Sequence, residues 1–205
     1  MLELFHDGGF FMYPILALLI IGLAISLERL YTLSRSSVST TKLLARVRKN
    51  LDKGTEGIEE AKRICAETRG PVASILIAGL LRVDEGIENV EKAISNAGTV
   101  EMAFLERGLV WLTTIVSLAP MLGFLGTVQG MVVAFQSIEA ANDISPAIVA
   151  HGISVALLTT LFGLVVAIII SLAYNYFTDQ IDHLTIDMEE SSVELIDSLV
   201  AIKKR

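Results

Sequence analysis

Two threonines lie deep within stretches that carry no charge. Thr127 stands 11 residues before Ile138, the end of a run (108–138) without Asp, Glu, Lys or Arg. Thr160 stands 13 residues after Ala147, near the start of a second such run (144–178). At ~1.5 Å per helical residue these depths are roughly 17 and 20 Å. On two antiparallel helices the hydroxyls then reach about the same level, near mid-membrane. A hydroxyl at that depth lines a polar path or serves an ionisable group on a partner. Its other use is to bond the carbonyl four residues back in its own helix, and position alone does not separate the two.

Little else in the sequence offers chemistry. His6, His151 and His183 are far apart and lack metal-ligand spacing. His151 lies near the outer end of its run, where an interfacial polar role suits it. The single Cys65 reads as a small apolar filler. Gly123, Gly126 and Gly130 follow no strand, so they form no phosphate loop. Paired carboxylates in a cleft-like context are absent, and neither an enzyme nor a cofactor is expected. The net charge of −7 argues against nucleic acid, whose phosphates need a basic surface.

The elements that would position the threonines follow from how the hydrophobic residues are distributed. The chain is 53% hydrophobic and 19% charged, with a mean hydropathy of +0.62. That excess is concentrated in three charge-free runs, 8–27, 108–138 and 144–178, of 20, 31 and 35 residues. A membrane helix needs roughly 20 apolar residues. A soluble enzyme, a secreted disulfide scaffold and a disordered chain are thereby excluded. The first run follows MLELFHD, which has no basic residue, and precedes Arg29 and Arg35. It reads as an uncleaved membrane helix, not a signal peptide, with Pro14 near its start.

Small residues fill the second and third runs. Gly126 and Gly130, then Gly152, Ala156 and Thr160, then Gly163, Ala167 and Ser171, form ridges at four-residue spacing that let backbones approach closely. Pro120, Gly123, Gly126, Gly130 and Gly163 are the expected packing residues.

All 16 Lys and Arg lie at Arg29, Arg35, within 36–107, or at the end of the chain (203–205). The positive-inside rule then gives the order of segments. Residues 1–33 hold an outer N-terminus and the first transmembrane helix, and 34–107 a cytoplasmic helical segment. Residues 108–138 form the second transmembrane helix, 139–146 an outer turn and 147–178 the third. A cytoplasmic amphipathic tail helix occupies 179–205.

Within the middle segment, Leu43, Leu44, Val47 and Leu51 recur at helical spacing, Gly70-Pro71 is a break, and Val72, Ile75, Leu76, Gly79 and Leu80 form an apolar stripe. Residues 85–107 are expected to be helical and to run on into the second span. In the tail, Ile181, Leu184, Met188, Leu195 and Ile202 make a near-heptad stripe, with Ser191 and Ser198 at weaker positions, and such a stripe wants helical partners.

These residues carry a family resemblance. The stretch LAPMLGFLGTVQGMVVAF (118–135) resembles the second-helix signature of the MotA/TolQ/ExbB proton-channel family, and GISVALLTTLFGLVVAIIISLAYNYF (152–177) its third-helix signature. MYPILALLIIGLAISLERLYTL (12–33) and RGPVASILIAGL (69–80) fit as well. Three spans resemble the ExbB and TolQ branch. The implied fold is an all-α membrane protein with three transmembrane helices, two of them long and extending into the cytoplasm, assembling as a ring.

The resemblance implies more. The ring is a homo-oligomer, usually a pentamer, around an ExbD/TolR-like single-span partner whose helix carries an Asp. Proton flow past that Asp drives mechanical work on the cell envelope. Carried over by motif, the channel-lining threonines are Thr127 in LGTVQG and Thr160 in TTLFG, with Thr159 beside it. The implied location is a bacterial inner membrane, with the N-terminus periplasmic and the C-terminus cytoplasmic. One departure stands out: family members often carry Glu in the third helix, in a pattern like SEAL, where this chain has Ser154-Val155-Ala156-Leu157. The rival expectation is a membrane scaffold that binds envelope partners and lipid without conducting.

Overall fold

The computed structural model describes residues 8–36, 40–51, 54–141 and 146–203. Within them the chain is helical, with no strand. The helices are α1 (Met12–Ser36), α2 (Thr40–Leu51), α3 (Thr55–Glu67), α4 (Pro71–Leu80), α5 (Ile87–Leu105), α6 (Leu109–Ala141) and α7 (Pro146–Lys203), with a short 3-10 turn at Val83–Glu85. Three helices are long and apolar enough to cross a membrane. Of the outer turn expected at 139–146, residues 142–145 lie outside those described, while 139–141 belong to α6 and Pro146 begins α7.

The chain divides into two compact units, one built from 1–29 and 108–176 and the other from 30–107 and 177–205. In the first, the beginning of α1 packs on α6 and α7. Gly22 permits this, because a Cβ there would stand 2.6 Å from Ile170 Cδ1 and 3.4 Å from Ile115 Cδ1. One turn on, buried Ser26 donates to the Gly22 carbonyl at 2.7 Å, which satisfies a hydroxyl that lipid could not. Met12 and Ile15 are fully buried on the same face.

The second unit has a conventional apolar core. Leu43, Val47 and Leu51 of α2 are buried, as are Val72, Ile75, Leu76 and Leu80 of α4. The α4 helix starts where Gly70 adopts φ +131°, with Pro71 in the first turn, a position where its missing N–H costs nothing. The tail stripe is covered within the chain: Ile181, Leu184, Met188, Ser191, Leu195 and Leu199 are buried. Leu195 reaches Gly79 of α4, and Thr185 lies against Met102 of α5. The stripe therefore ends on Leu199, since Ile202 is only half-buried.

The expected run-on from 85–107 into the second span does not occur. Helix α5 ends at Leu105, and Gly108 takes φ +88° before α6 begins. A left-handed residue cannot sit inside a right-handed helix, and glycine adopts that conformation without steric cost.

Candidate functional site

The pairing of α6 with the first half of α7 is a backbone-to-backbone contact. A Cβ on Gly163 would lie 2.6 Å from the Ala119 carbonyl oxygen, and one on Gly123 would lie 3.0 Å from both the Thr159 oxygen and the Thr160 Cα. One on Gly130 would lie 2.9 Å from the Gly152 oxygen, and one on Gly152 would meet Ala134. The seam thus runs antiparallel, with Ala119, Gly123, Gly126, Gly130 and Ala134 facing Gly163, Thr159, Ala156 and Gly152.

This corrects one sequence expectation. The ridge on α7 reads 152, 156, 159, 163, not 152, 156, 160. Each residue turns a helix by about 100°, so steps of four drift about 40° each, and a step of three brings the line back. Thr159 therefore lies in the seam and Thr160 at its edge.

The three threonines differ accordingly. Thr159 is fully buried, and its Oγ1 donates to its own helix at the carbonyls of Ala156 (2.9 Å) and Val155 (3.1 Å). A Cβ on Gly126 would meet that side chain, so Thr159 fills the space that Gly126 leaves. Half-buried Thr160 instead reaches across the seam, donating to the Gly123 carbonyl at 3.1 Å. That carbonyl also stands four residues before Thr127, whose backbone N–H it accepts in a regular helix. The Thr127 hydroxyl, half-buried on the α6 side, donates to the Phe124 carbonyl at 2.6 Å. Thr127 and Thr160 are thus linked through one peptide oxygen. Thr127 bonds locally, to the carbonyl three residues back, whereas Thr160 bonds across the seam.

In each of these hydroxyls the proton is engaged by a carbonyl, and the oxygen lone pairs remain as acceptors. Thr113, Thr114 and Ser117 bond back to carbonyls in the same way along α6. Pro120 lies inside α6, where it cannot donate to the carbonyl of Val116 and leaves a further polar oxygen at membrane depth. At the depth of these threonines the helix pair offers hydroxyls and peptide oxygens but no carboxylate, Lys or Arg; Glu139 and His151 lie toward the end of α6 and the start of α7. Val155 is half-buried, with Gly9 beside it at the N-terminal turn.

Two features escaped the sequence reading. Arg29 is 3% exposed, bonds to the Glu28 carboxylate at 2.5 and 3.0 Å, and lies beside Gly108. Its position just past the first apolar run was visible, but its burial depends on the turn before α6. Gly22 and Ser26, a small-residue pair at four-residue spacing within the first run, carried a readable signal for close packing. Cys65 is buried, and burial pushes its thiol up to about 11, consistent with a filler.

The chain was compared with known proteins. The family model for the MotA/TolQ/ExbB proton channel family matches residues 67–190. A biopolymer transport protein ExbB homolog of Methanothermobacter thermautotrophicus is 39% identical over 196 residues, which cover 95% of this chain and 67% of that protein. A biopolymer transport protein ExbB-like protein of Synechocystis is 33% identical over 179 residues, 85% of this chain and 69% of its own. The Tol-Pal system protein TolQ of Haemophilus influenzae is 36% identical over 89 residues, 43% of this chain and 39% of its own.

The fold and these similarities define a multi-pass helical membrane protein of the energy-transducing transport class. The chain belongs to the MotA/TolQ/ExbB proton channel family.

Proposed function

We propose that this chain is the stator subunit of an ExbB/TolQ-like motor, a ring that conducts protons together with an ExbD/TolR-like single-span partner and turns the proton motive force into work on the cell envelope. The observation that carries this reading is the α6–α7 pair itself. It sets Thr127 and Thr160 on the same side of one tight seam, joined through the Gly123 oxygen, and its titratable groups, Glu139 and His151, lie away from them toward the outer end. At the depth of the threonines a proton carrier then comes from outside the chain, which suits a partner helix bearing an Asp. A protonated carboxyl there would donate to the threonine oxygens. After ionisation it would accept from Thr160, whose proton then leaves the Gly123 carbonyl.

In this reading the ring is a homo-oligomer, most simply the family's pentamer, with Thr127 and Thr160 lining the lumen. Thr159, buried in the seam, sets their spacing. The N-terminus and the 139–146 turn lie on the periplasmic side of the inner membrane, and 34–107 and the tail in the cytoplasm. The confinement of Lys and Arg to residues 29, 35, 36–107 and 203–205 supports this orientation.

The test is proton flux through the subunit reconstituted in vesicles with its partner. Thr160→Val is expected to abolish flux while assembly persists, because the Gly123 oxygen keeps its helical N–H partner. Unchanged flux would refute the role of Thr160. Val155, which cannot titrate, favours the alternative of a non-conducting scaffold, and absence of flux in the unaltered assembly would establish that alternative.

A further inference from the structure

Charge in the second unit is segregated. Helix α2 holds Lys42, Arg46, Arg48 and Lys49 and no acid, whereas 179–197 of α7 holds Asp179, Asp182, Asp187, Glu189, Glu190, Glu194 and Asp197 and no Lys or Arg. A single bridge joins them within the described residues, Arg48 to Glu194 at 3.3 Å. It places Arg48 on the side of α2 that faces the chain's own tail. At about 100° per residue, Lys42, Arg46 and Lys49 lie together about 130° further round the helix. All three are exposed and point away from that tail.

The tail presents the complement. Opposite its buried stripe lie exposed Asp182, Glu189, Glu190 and Asp197, with exposed Ile186 and Val193 between them. A groove of about 750 Å³ opens beside this face, with Leu51, Val193 and Ile202 as apolar lining; of its acids Glu189, Glu190, Glu194 and Asp197, Glu194 is engaged by Arg48 in the same groove. Lys42 to Lys49 and Glu190 to Asp197 both span seven residues, about 10.5 Å on a helix. The two stripes therefore match in length as well as in sign.

We infer that the Lys42/Arg46/Lys49 face of one copy docks on the Glu190/Val193/Asp197 face of the next copy. The two patches are different surfaces of the same chain, so the contact is head-to-tail. A head-to-tail contact closes as a ring when its rotation divides a full turn, which is the case the ring reading requires. Lys–Glu and Arg–Asp pairs fix register and exclude like-charged alternatives, and exposed pairs of this kind weaken with salt. The inference rests on the ring reading above and adds to it the cytoplasmic contact that sets the order of subunits. Anionic lipid is the competing occupant of the basic face, but it leaves the acidic groove unexplained.

The test uses the full-length protein in phosphatidylcholine nanodiscs, with Lys49→Cys and Glu190→Cys in one chain and a short bismaleimide as cross-linker. Cys65 is buried and does not compete. The expected result is a ladder of cross-linked copies on a denaturing gel, absent from either single variant. Lys42→Glu with Arg46→Glu should reduce the ladder at least fivefold, as should Glu189→Lys with Asp197→Lys. The two sets combined should restore it, which excludes misfolding as the cause.

A cross-link confined to one chain overturns the inference. So does a missing ladder from rings that native mass spectrometry finds intact, and that result leaves the ring reading standing. An unaltered protein that is monomeric by the same measurement overturns the ring reading itself, and the interface with it. A ladder that forms only when anionic lipid is added assigns the basic face to the membrane and overturns the docking.

Discussion

Gly163→Ala probes the seam at its tightest point. The added Cβ would stand 2.6 Å from the Ala119 carbonyl oxygen and 3.2 Å from Gly123 Cα. Both are backbone atoms, so no rotamer change relieves the contact. A carbon rests about 3.3 Å from a carbonyl oxygen, and the helices must separate locally by about 0.7 Å. Thr160 lies one turn from Gly163 and bonds the Gly123 oxygen at 3.1 Å. The same separation lengthens that bond to about 3.8 Å, beyond hydrogen-bonding range.

Overpacking of a close contact costs about 1–3 kcal/mol, and an interhelical bond in a membrane contributes about 0.6 kcal/mol. Alanine's helix preference over glycine returns up to about 1 kcal/mol. The net loss is about 1–3 kcal/mol, or roughly 2–12 °C in Tm for a chain of this size. Fluorescence of Trp111, the one tryptophan, reports the transition in detergent, and proton flux with the partner should fall together with stability. A Tm equal to or above that of the unaltered protein would refute the backbone contact and the coupling of Gly163 to Thr160.

Gly98→Ala is the matched control. Gly98 lies inside α5, and its nearest neighbour to an added Cβ is Met188 Cε at 4.0 Å. The variant should gain about 0.5–1 kcal/mol, read as a rise in Tm in the same assay. Cys65 should resist N-ethylmaleimide in the folded protein and react fully once unfolded. Its thiol is raised from 9.0 to about 11 by burial, so thiolate at neutral pH is scarcer by roughly a hundredfold. The linked stability is present below pH 9.0 and fades as pH rises toward 11, because unfolding frees the thiol to ionise. The ring without its partner should leak few protons, since near Thr127 and Thr160 the exposed faces of α6 and α7 are apolar apart from hydroxyls and Gln129. Flux measured on partner-free vesicles checks this.

Much of the fold was readable because lipid imposes a simple rule. A helix crossing the bilayer satisfies its own backbone, so a run of about 20 apolar residues identifies the span without reference to its neighbours. Leu43, Val47 and Leu51, the apolar face of α4, and the tail stripe at 181–195 obeyed helical periodicity, and each is buried. The break at Gly108 was not readable. Gly98 and Gly108 look alike in sequence, and only the path of the chain into α6 requires the positive φ at the second.

The candidate site was legible as composition but not as geometry. The glycines, Pro120 and the threonines mark α6 and α7 as a close-packed pair, and their charge-free runs hold no carboxylate, Lys or Arg, with His151 near one end. Sequence alone determined those points, because residue type fixes hydrogen-bonding capacity and charge wherever the side chain points. Tertiary structure decided which threonine enters the seam and which reaches across it. Thr159 and Thr160 are adjacent and identical in chemistry, yet lie about 100° apart round the helix. The antiparallel register of Gly123, Gly126 and Gly163 places one against Gly126 and the other on the Gly123 oxygen. Register depends on contacts between residues some forty positions apart, and no local pattern in either helix encodes it.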